Sequence, residues 1–156
     1  MKNLKIIVAS LLLCLTVGYI GSIYTAPSIP AWYESLEKPS FNPPNWIFAP
    51  VWTILYVLMG LSFYLVWRKD LKFKKTKKAA ILFLIQLALN ILWSAVFFGM
   101  KDIQLALAVI VVLWILIAET IYEFSKKSTS AALLLLPYLC WVAFATILNY
   151  NIMLLN

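Results

Sequence analysis

Histidine is absent from this 156-residue chain, only six residues are acidic, and there are just two cysteines and four glycines. With no histidine, no paired carboxylates and no cluster of metal-ligating side chains, acid-base, hydrolytic or metal-centred catalysis has no candidate residues. Cys14 and Cys140 each fall inside an apolar run, so two inert buried thiols are expected rather than a disulfide or a metal site. Strict two-residue alternation is missing as well, which excludes a membrane β-barrel.

What remains is apolar and aromatic. Hydrophobic residues make up 64% of the chain and charged ones 12%, with a mean hydropathy of +0.92, too apolar for a soluble domain. Five runs, residues 4–24, 46–67, 79–98, 103–122 and 130–152, are long enough to cross about 30 Å of hydrocarbon as helices. The expected fold is an all-α membrane protein: one domain over residues 1–156, a five-transmembrane-helix bundle with a long ordered loop, residues 25–45, between helices one and two. Lys2 and Lys5 ahead of the first run imitate a secretory signal. The run is long and offers no small-x-small cleavage site, so it is read as a retained helix.

The net charge of +7 does not point to nucleic acid once its distribution is considered. Five crossings place the N-terminus, the second loop and the fourth loop on one side. That side holds Lys2, Lys5, the seven bases from Arg68 to Lys78, Lys126 and Lys127, while Lys38 and Lys101 lie opposite. The positive-inside rule then puts the N-terminus in the cytoplasm and the C-terminus outside, if the membrane is a bacterial cell membrane. Contact of the Arg68–Lys78 cluster with anionic lipid is the lesser reading.

The stretch KPSFNPPNWIFAPVWTILY, Lys38 to Tyr56, is where a stiff loop meets a helix. Pro39, Pro43 and Pro44 fix their own φ and extend the residues before them. Asn45 is placed as the N-cap of a helix starting near Trp46. Phe48, Trp52, Leu55, Tyr56, Met59 and Phe63 then share one face. Upstream, Ser28 and Pro30 can start a short helix presenting Ile29, Trp32, Tyr33 and Leu36 downward and Glu34 and Glu37 to water. The whole loop reads as an ordered lid.

Helix one carries Gly18, Gly21, Ser22 and Thr25 at packing distance from a neighbour. On helix three, Gln86, Asn90, Trp93, Ser94 and Phe97 share a face, and Ala88, Leu92, Ala95 and Gly99 share the opposite one. Amides in hydrocarbon need partners, so the first face should point inward. The small-residue face suits close helix contact, within the subunit or in a homodimer. Gly99 and Asp102 are placed as the caps of a tight turn into helix four, where Glu119 and Glu123 can snorkel or pair with Lys126 and Lys127. Helix five carries Pro137, Trp141, Phe144, Ala145 and Leu148, with Asn149 at the edge, and Pro137 is expected to kink it. At about 1.5 Å per residue, Trp52, Asn90, Trp93, Trp141, Ala145 and Asn149 all lie about 5 to 17 Å below one boundary, beneath the lid. Convergence from three helices points to a pocket with apolar walls, a few amide and indole donors, and a small floor at Ala145.

KPSFNPPNWIFAPVWTILYVLMG, QLALNILWSAVFF and LPYLCWVAFATILNY, with GYIGSIYT in helix one, resemble the diagnostic segments of the translocator protein family (TspO/MBR). That family is also called the tryptophan-rich sensory protein or peripheral benzodiazepine receptor family. The resemblance spans essentially the whole chain. It implies a membrane receptor or sensor, usually a homodimer, that binds porphyrins of the protoporphyrin IX type, sterols and benzodiazepine-type ligands beneath loop one. Carried over by matching motif, the ligand-binding positions are Pro44, Ile47, Phe48, Trp52, Asn90, Trp93, Phe97, Trp141, Ala145 and Leu148. The family is also linked to light- and oxygen-dependent porphyrin breakdown, which would make Trp52 and Trp141 the reaction partners, with porphyrin as ligand or substrate and no cofactor required. A flat tetrapyrrole would stack on Trp52 and Trp141, take hydrogen bonds from Asn90 or Asn149, and leave its propionates near Lys38. Lacking histidine, the chain has no ordinary axial ligand for haem iron. The family's proposed sterol motif ends in a basic residue, whereas ATILNYNIMLLN has none after Tyr150, so sterol transport is not carried over and sterol recognition stays open. Transport of tetrapyrroles or of sterols and other lipids is the alternative; Glu119 alone is eligible as a mid-membrane ionisable group and no internal repeat is evident.

Overall fold

Long Leu, Ile, Val and Ala runs must satisfy their backbone internally in hydrocarbon, and helices do so within one segment. The computed structural model describes residues 2–156 without the side chain of Lys2; Met1 and the Lys2 ammonium, counted above among the basic flank, lie outside the described residues. Five long helices result: α1 (Lys2–Ser28), α2 (Phe48–Trp67), α3 (Lys77–Ser94), α4 (Ile103–Ser125) and α5 (Thr129–Leu155). Each is long and apolar enough to span a membrane, as the sequence predicts. Their packing closes a ring, with α1 against α2 and α3, α2 against α5, α5 against α4, and α4 against α3.

The first connection differs from expectation. Instead of ending near Tyr24, α1 runs through Pro27 and continues as a π-helical turn over Ile29–Tyr33. The irregular segment is thus residues 36–44, not 25–45. A proline inside a helix removes a hydrogen bond and crowds the preceding turn, but two tertiary ties and one local cap outweigh that preference. The Ser28 hydroxyl donates to the Phe98 carbonyl at 2.8 Å. Tyr33 is buried against Phe48, Phe97 and Phe98. The Lys38 ammonium donates to the carbonyls of Tyr33, Glu34 and Leu36 at 2.9, 3.0 and 2.9 Å, a lysine cap on an otherwise open helix end. The amphipathic split holds: Ile29, Trp32, Tyr33 and Leu36 pack inward while Glu34 and Glu37 are exposed.

Three further local readings are corrected. Asn45 does not cap α2; Pro44 precedes a 3-10 turn, Asn45–Ile47, and the Asn45 amide donates instead to Glu34 at 3.2 Å. At the α3–α4 turn the left-handed residue is Lys101 (φ 60°), with α3 prolonged by a π-helical turn, Ala95–Met100. Gly99 is needed there for a different reason, since a Cβ would stand 3.0 Å from the Tyr24 ring. Asp102 does cap α4, accepting from the Leu105 amide at 2.9 Å. Cys14 is buried but Cys140 is exposed, because α5 turns it away from the ring's interior.

Two packed layers occupy the ring. Near the lysine-rich end, Phe63 and Phe83 stack at 4.6 Å, Phe83 stacks on Phe124 at 5.6 Å, and Phe73 covers Phe63 and Trp67. At the lid end, Tyr33, Val96, Phe97, Phe98, Leu148 and Ile152 form a smaller cluster. Gly60 draws α1 and α2 together near the lysine-rich end, where its missing Cβ would lie 3.0 Å from the Leu11 backbone. Glu123 pairs with Lys78 and Lys126 at 2.8 and 2.9 Å, joining α4 to α3, while Lys69 donates to the Lys127 carbonyl at 2.8 Å. Glu119 is exposed. At the lid end, Asn156 and Glu37 exchange two hydrogen bonds through the Asn156 side chain, at 3.1 and 3.0 Å.

Asp70 organises the α2–α3 turn. Partial desolvation pushes its carboxyl up, but hydrogen bonds from the Lys75 amide, the Thr76 hydroxyl and the Lys74 and Thr76 amides outweigh it and hold the group below its ordinary 3.8. A depressed carboxylate stabilises above its unfolded value and loses that contribution as pH falls through the lower folded one. Hydrogen exchange at Lys74, Lys75 and Thr76 is therefore expected to lose protection on acidification below pH 3.8, and Asp70→Ala is expected to show the same loss at neutral pH.

Candidate functional site

The two packed layers meet through Trp93 and through the Phe48–Trp141 contact but do not fill the ring. Between them lies a cavity of about 350 Å³, within the roughly 300–1,000 Å³ of small-molecule pockets. Its depth is set by the amide face of α3. Asn90 and Gln86 are 1% exposed and cannot be hydrated, so they recruit hydroxyls from two other helices. The Tyr56 hydroxyl donates to Asn90 Oδ1 at 2.5 Å, Asn90 Nδ2 donates to the Tyr138 hydroxyl at 2.9 Å, and Tyr138 donates to Gln86 Oε1 at 2.9 Å. This chain links α2, α3 and α5 beneath the cavity. Gln86 Nε2 is left without a partner.

Above it the walls are aromatic. Trp52 stacks on Tyr56 with ring centroids 5.7 Å apart and meets Tyr138 edge-on at 6.3 Å. Phe48 bridges Tyr33 and Trp141 at 6.3 and 6.2 Å. Trp93 stacks on Phe97 at 5.4 Å, and its indole N–H donates to Asn149 Oδ1 at 3.2 Å, while Asn149 Nδ2 donates to the Ile103 carbonyl at 3.0 Å. Such pairings hold the rings in defined planes. Trp141 has a second face: it also lines a shallow apolar groove on the outside of α2 and α5, beside Leu58, Pro137, Cys140 and Phe144.

Of the ten positions singled out in sequence, Phe48, Trp52, Trp93, Phe97, Trp141, Ala145 and Leu148 line the cavity together. Pro44, Ile47 and Asn90 do not. Pro44 is exposed before the 3-10 turn, Ile47 turns aside within it, and Asn90 sits one layer below, committed to the two tyrosines. Roofing comes from Ile29 and Tyr33 of the π-helical turn and from Asn45 rather than from the Pro-rich segment.

One wall was not foreseen. Leu15, Gly18, Tyr19, Ser22, Thr25 and Ala26 of α1 face the cavity. The GYIGSIYT strip carried the signal, but small residues at this spacing read equally as helix packing, and Gly18 does pack: a Cβ there would fall 2.5 Å from the Tyr56 ring. No lining residue is charged among the described residues. Lys38, expected near a ligand's acid groups, has its ammonium spent on three backbone carbonyls.

Residues 10–155 match the TspO/MBR family. The tryptophan-rich protein TspO of Chlorobaculum tepidum is 48% identical over 144 residues, covering 92% of this chain and 91% of that protein. Its counterpart in Archaeoglobus fulgidus is 45% identical over 157 residues, 99% of each chain. The translocator protein of Bos taurus is 40% identical over 135 residues, 86% of this chain and 80% of that protein.

If the tyrosine and amide chain holds the floor, Tyr138→Phe leaves two buried amide groups without partners. It is expected to lower stability by about 1–3 kcal/mol, read as an earlier unfolding transition in detergent. Tyr64→Phe, on a half-buried tyrosine away from the cavity, is expected to be nearly silent.

Proposed function

The chain belongs to the TspO/MBR family, and on that premise we propose that it is a membrane receptor for flat apolar ligands, porphyrins of the protoporphyrin IX type and benzodiazepine-type compounds among them. The observation that carries this reading is the enclosure of one cavity by Trp52, Trp93 and Trp141, drawn from three different helices. Packing alone does not account for three indoles around a hollow, because a core without a ligand is close-packed. A planar ring system inserted there would meet Trp52 and Trp141 across the space that Phe48 and Ala145 leave open. The names of the bacterial and bovine relatives, a tryptophan-rich sensory protein and a translocator protein, agree with a ligand-responsive membrane role. Assembly as a homodimer through the exposed small-residue face of α3, with Ala88, Leu92 and Gly99 all exposed, belongs to the same proposal, as does a cytoplasmic lysine-rich end.

Light-driven porphyrin breakdown is the secondary reading, favoured by Trp52 and Trp141 standing on the cavity wall where an excited ligand would reach them. Reactivity would come from the ligand, light and oxygen, with the protein orienting the ring.

A spectroscopic titration with protoporphyrin IX tests the binding reading. Trp52→Phe and Trp141→Phe are each expected to weaken affinity about two- to tenfold, the worth of roughly 0.5–1.5 kcal/mol per aromatic pairing. Unchanged affinity in the double variant with its helical content retained rejects the pose. For breakdown, illumination of the complex is expected to give a defined product at a rate that falls in both variants; bleaching identical to free porphyrin counts against it.

A further inference from the structure

The cavity is enclosed on every side but one. Its lining residues from α3 and α5 are all buried or half-buried, whereas Tyr19, Ser22 and Ala26 of α1 and Ala49 and Thr53 of α2 are exposed. The two helices touch closely at Gly60 and at Gly18 and leave a gap toward the lid end. We propose that the cavity loads sideways from the bilayer through this gap and selects uncharged ligands, so that an acidic porphyrin binds as its neutral acid or ester rather than as a dianion. The inference rests on the reading of the cavity as a flat-ligand site and adds the route and the charge state.

The hydroxyls at the mouth are compatible with the route. Ser22 donates to the Tyr19 carbonyl at 2.7 Å, Thr25 to Gly21 at 3.1 Å and Thr53 to Ala49 at 2.8 Å. Each returns its proton to its own helix, as a hydroxyl facing hydrocarbon must.

Charge supports the selection. The wall carries no lysine or arginine. Lys38 has all three ammonium protons on carbonyls, and Lys101 lies at the α3–α4 turn, off the wall. Two ionisable side chains are bonded to lining residues: Lys38, donating to the Tyr33 carbonyl with its ammonium already committed, and Glu34, accepting from the Asn45 amide at 3.2 Å. A ligand carboxylate inside the cavity would give up hydration without a free cationic partner on the wall, which is costly at low dielectric.

The test uses the full chain in zwitterionic phosphatidylcholine vesicles, titrated with protoporphyrin IX and with its dimethyl ester, each corrected for partition into protein-free vesicles. The ester is expected to bind about tenfold or more tightly near pH 7. The gap should narrow as pH falls toward the carboxyl range of roughly 4 to 5, with no dependence on added salt. Equal or tighter binding of the acid, or binding weakened by salt, overturns the charge selection alone. Failure of both porphyrins to bind a folded protein overturns this inference together with the reading beneath it. Ala49→Trp, and independently Thr53→Trp, narrow the mouth and are expected to slow ester association about tenfold, while an unchanged rate in both folded variants overturns the lateral route. Ala26→Lys, whose ammonium can snorkel outward, is expected to bring the acid close to the ester. An undiminished gap in that variant overturns the electrostatic explanation.

Discussion

A buried amide in a membrane helix has no water to fall back on, and the interior of this protein is arranged around that constraint. Asn90 and Gln86 recruit the hydroxyls of Tyr56 and Tyr138, and to do so α2 and α5 must each approach α3 at one depth. The aromatic positions a turn above are then fixed in height and azimuth. Trp52, one turn before Tyr56, and Trp141, nearly one turn after Tyr138, come to face the same space without touching across it. The cavity is thus a by-product of polar satisfaction below it as much as of aromatic side chains around it.

The remaining geometry follows from where backbones come close. Gly60 and Gly18 bring α1 against α2 in the lower part of the bundle. Near the lid, the π-helical turn, the Ser28 bond to Phe98 and the Lys38 cap bend the end of α1 over the ring as a roof. Between these two anchorages α1 stands away from α2, and the hollow acquires its one open side.

Much of this was legible in the chain. Two amides four residues apart in an otherwise apolar run have one sensible orientation, so the inward face of α3 could be read directly, and with it the aromatic faces of α2 and α5. Other features were decided by partners distant in sequence. Pro27 carries a local instruction to stop a helix, overruled by a carbonyl at Phe98. Asn45 resembles a cap by position but is taken by Glu34. Asn90 was expected to greet a ligand, since nothing in its own helix reveals two tyrosines waiting on others. The α1 wall was missed because Gly and Ser permit close contact and empty space alike, and only the neighbour's position tells which.

The indole of Trp141 is a party wall, with the ligand space on one side and the groove between α2 and α5 on the other. Cutting it back to alanine would do more than remove a surface for stacking; it would knock the two hollows into one and let acyl chains in. Weak binding after such a truncation therefore has two causes that no affinity measurement separates. A ring of similar breadth keeps the partition standing, so the chemistry of the indole is best judged by replacements that leave the masonry in place.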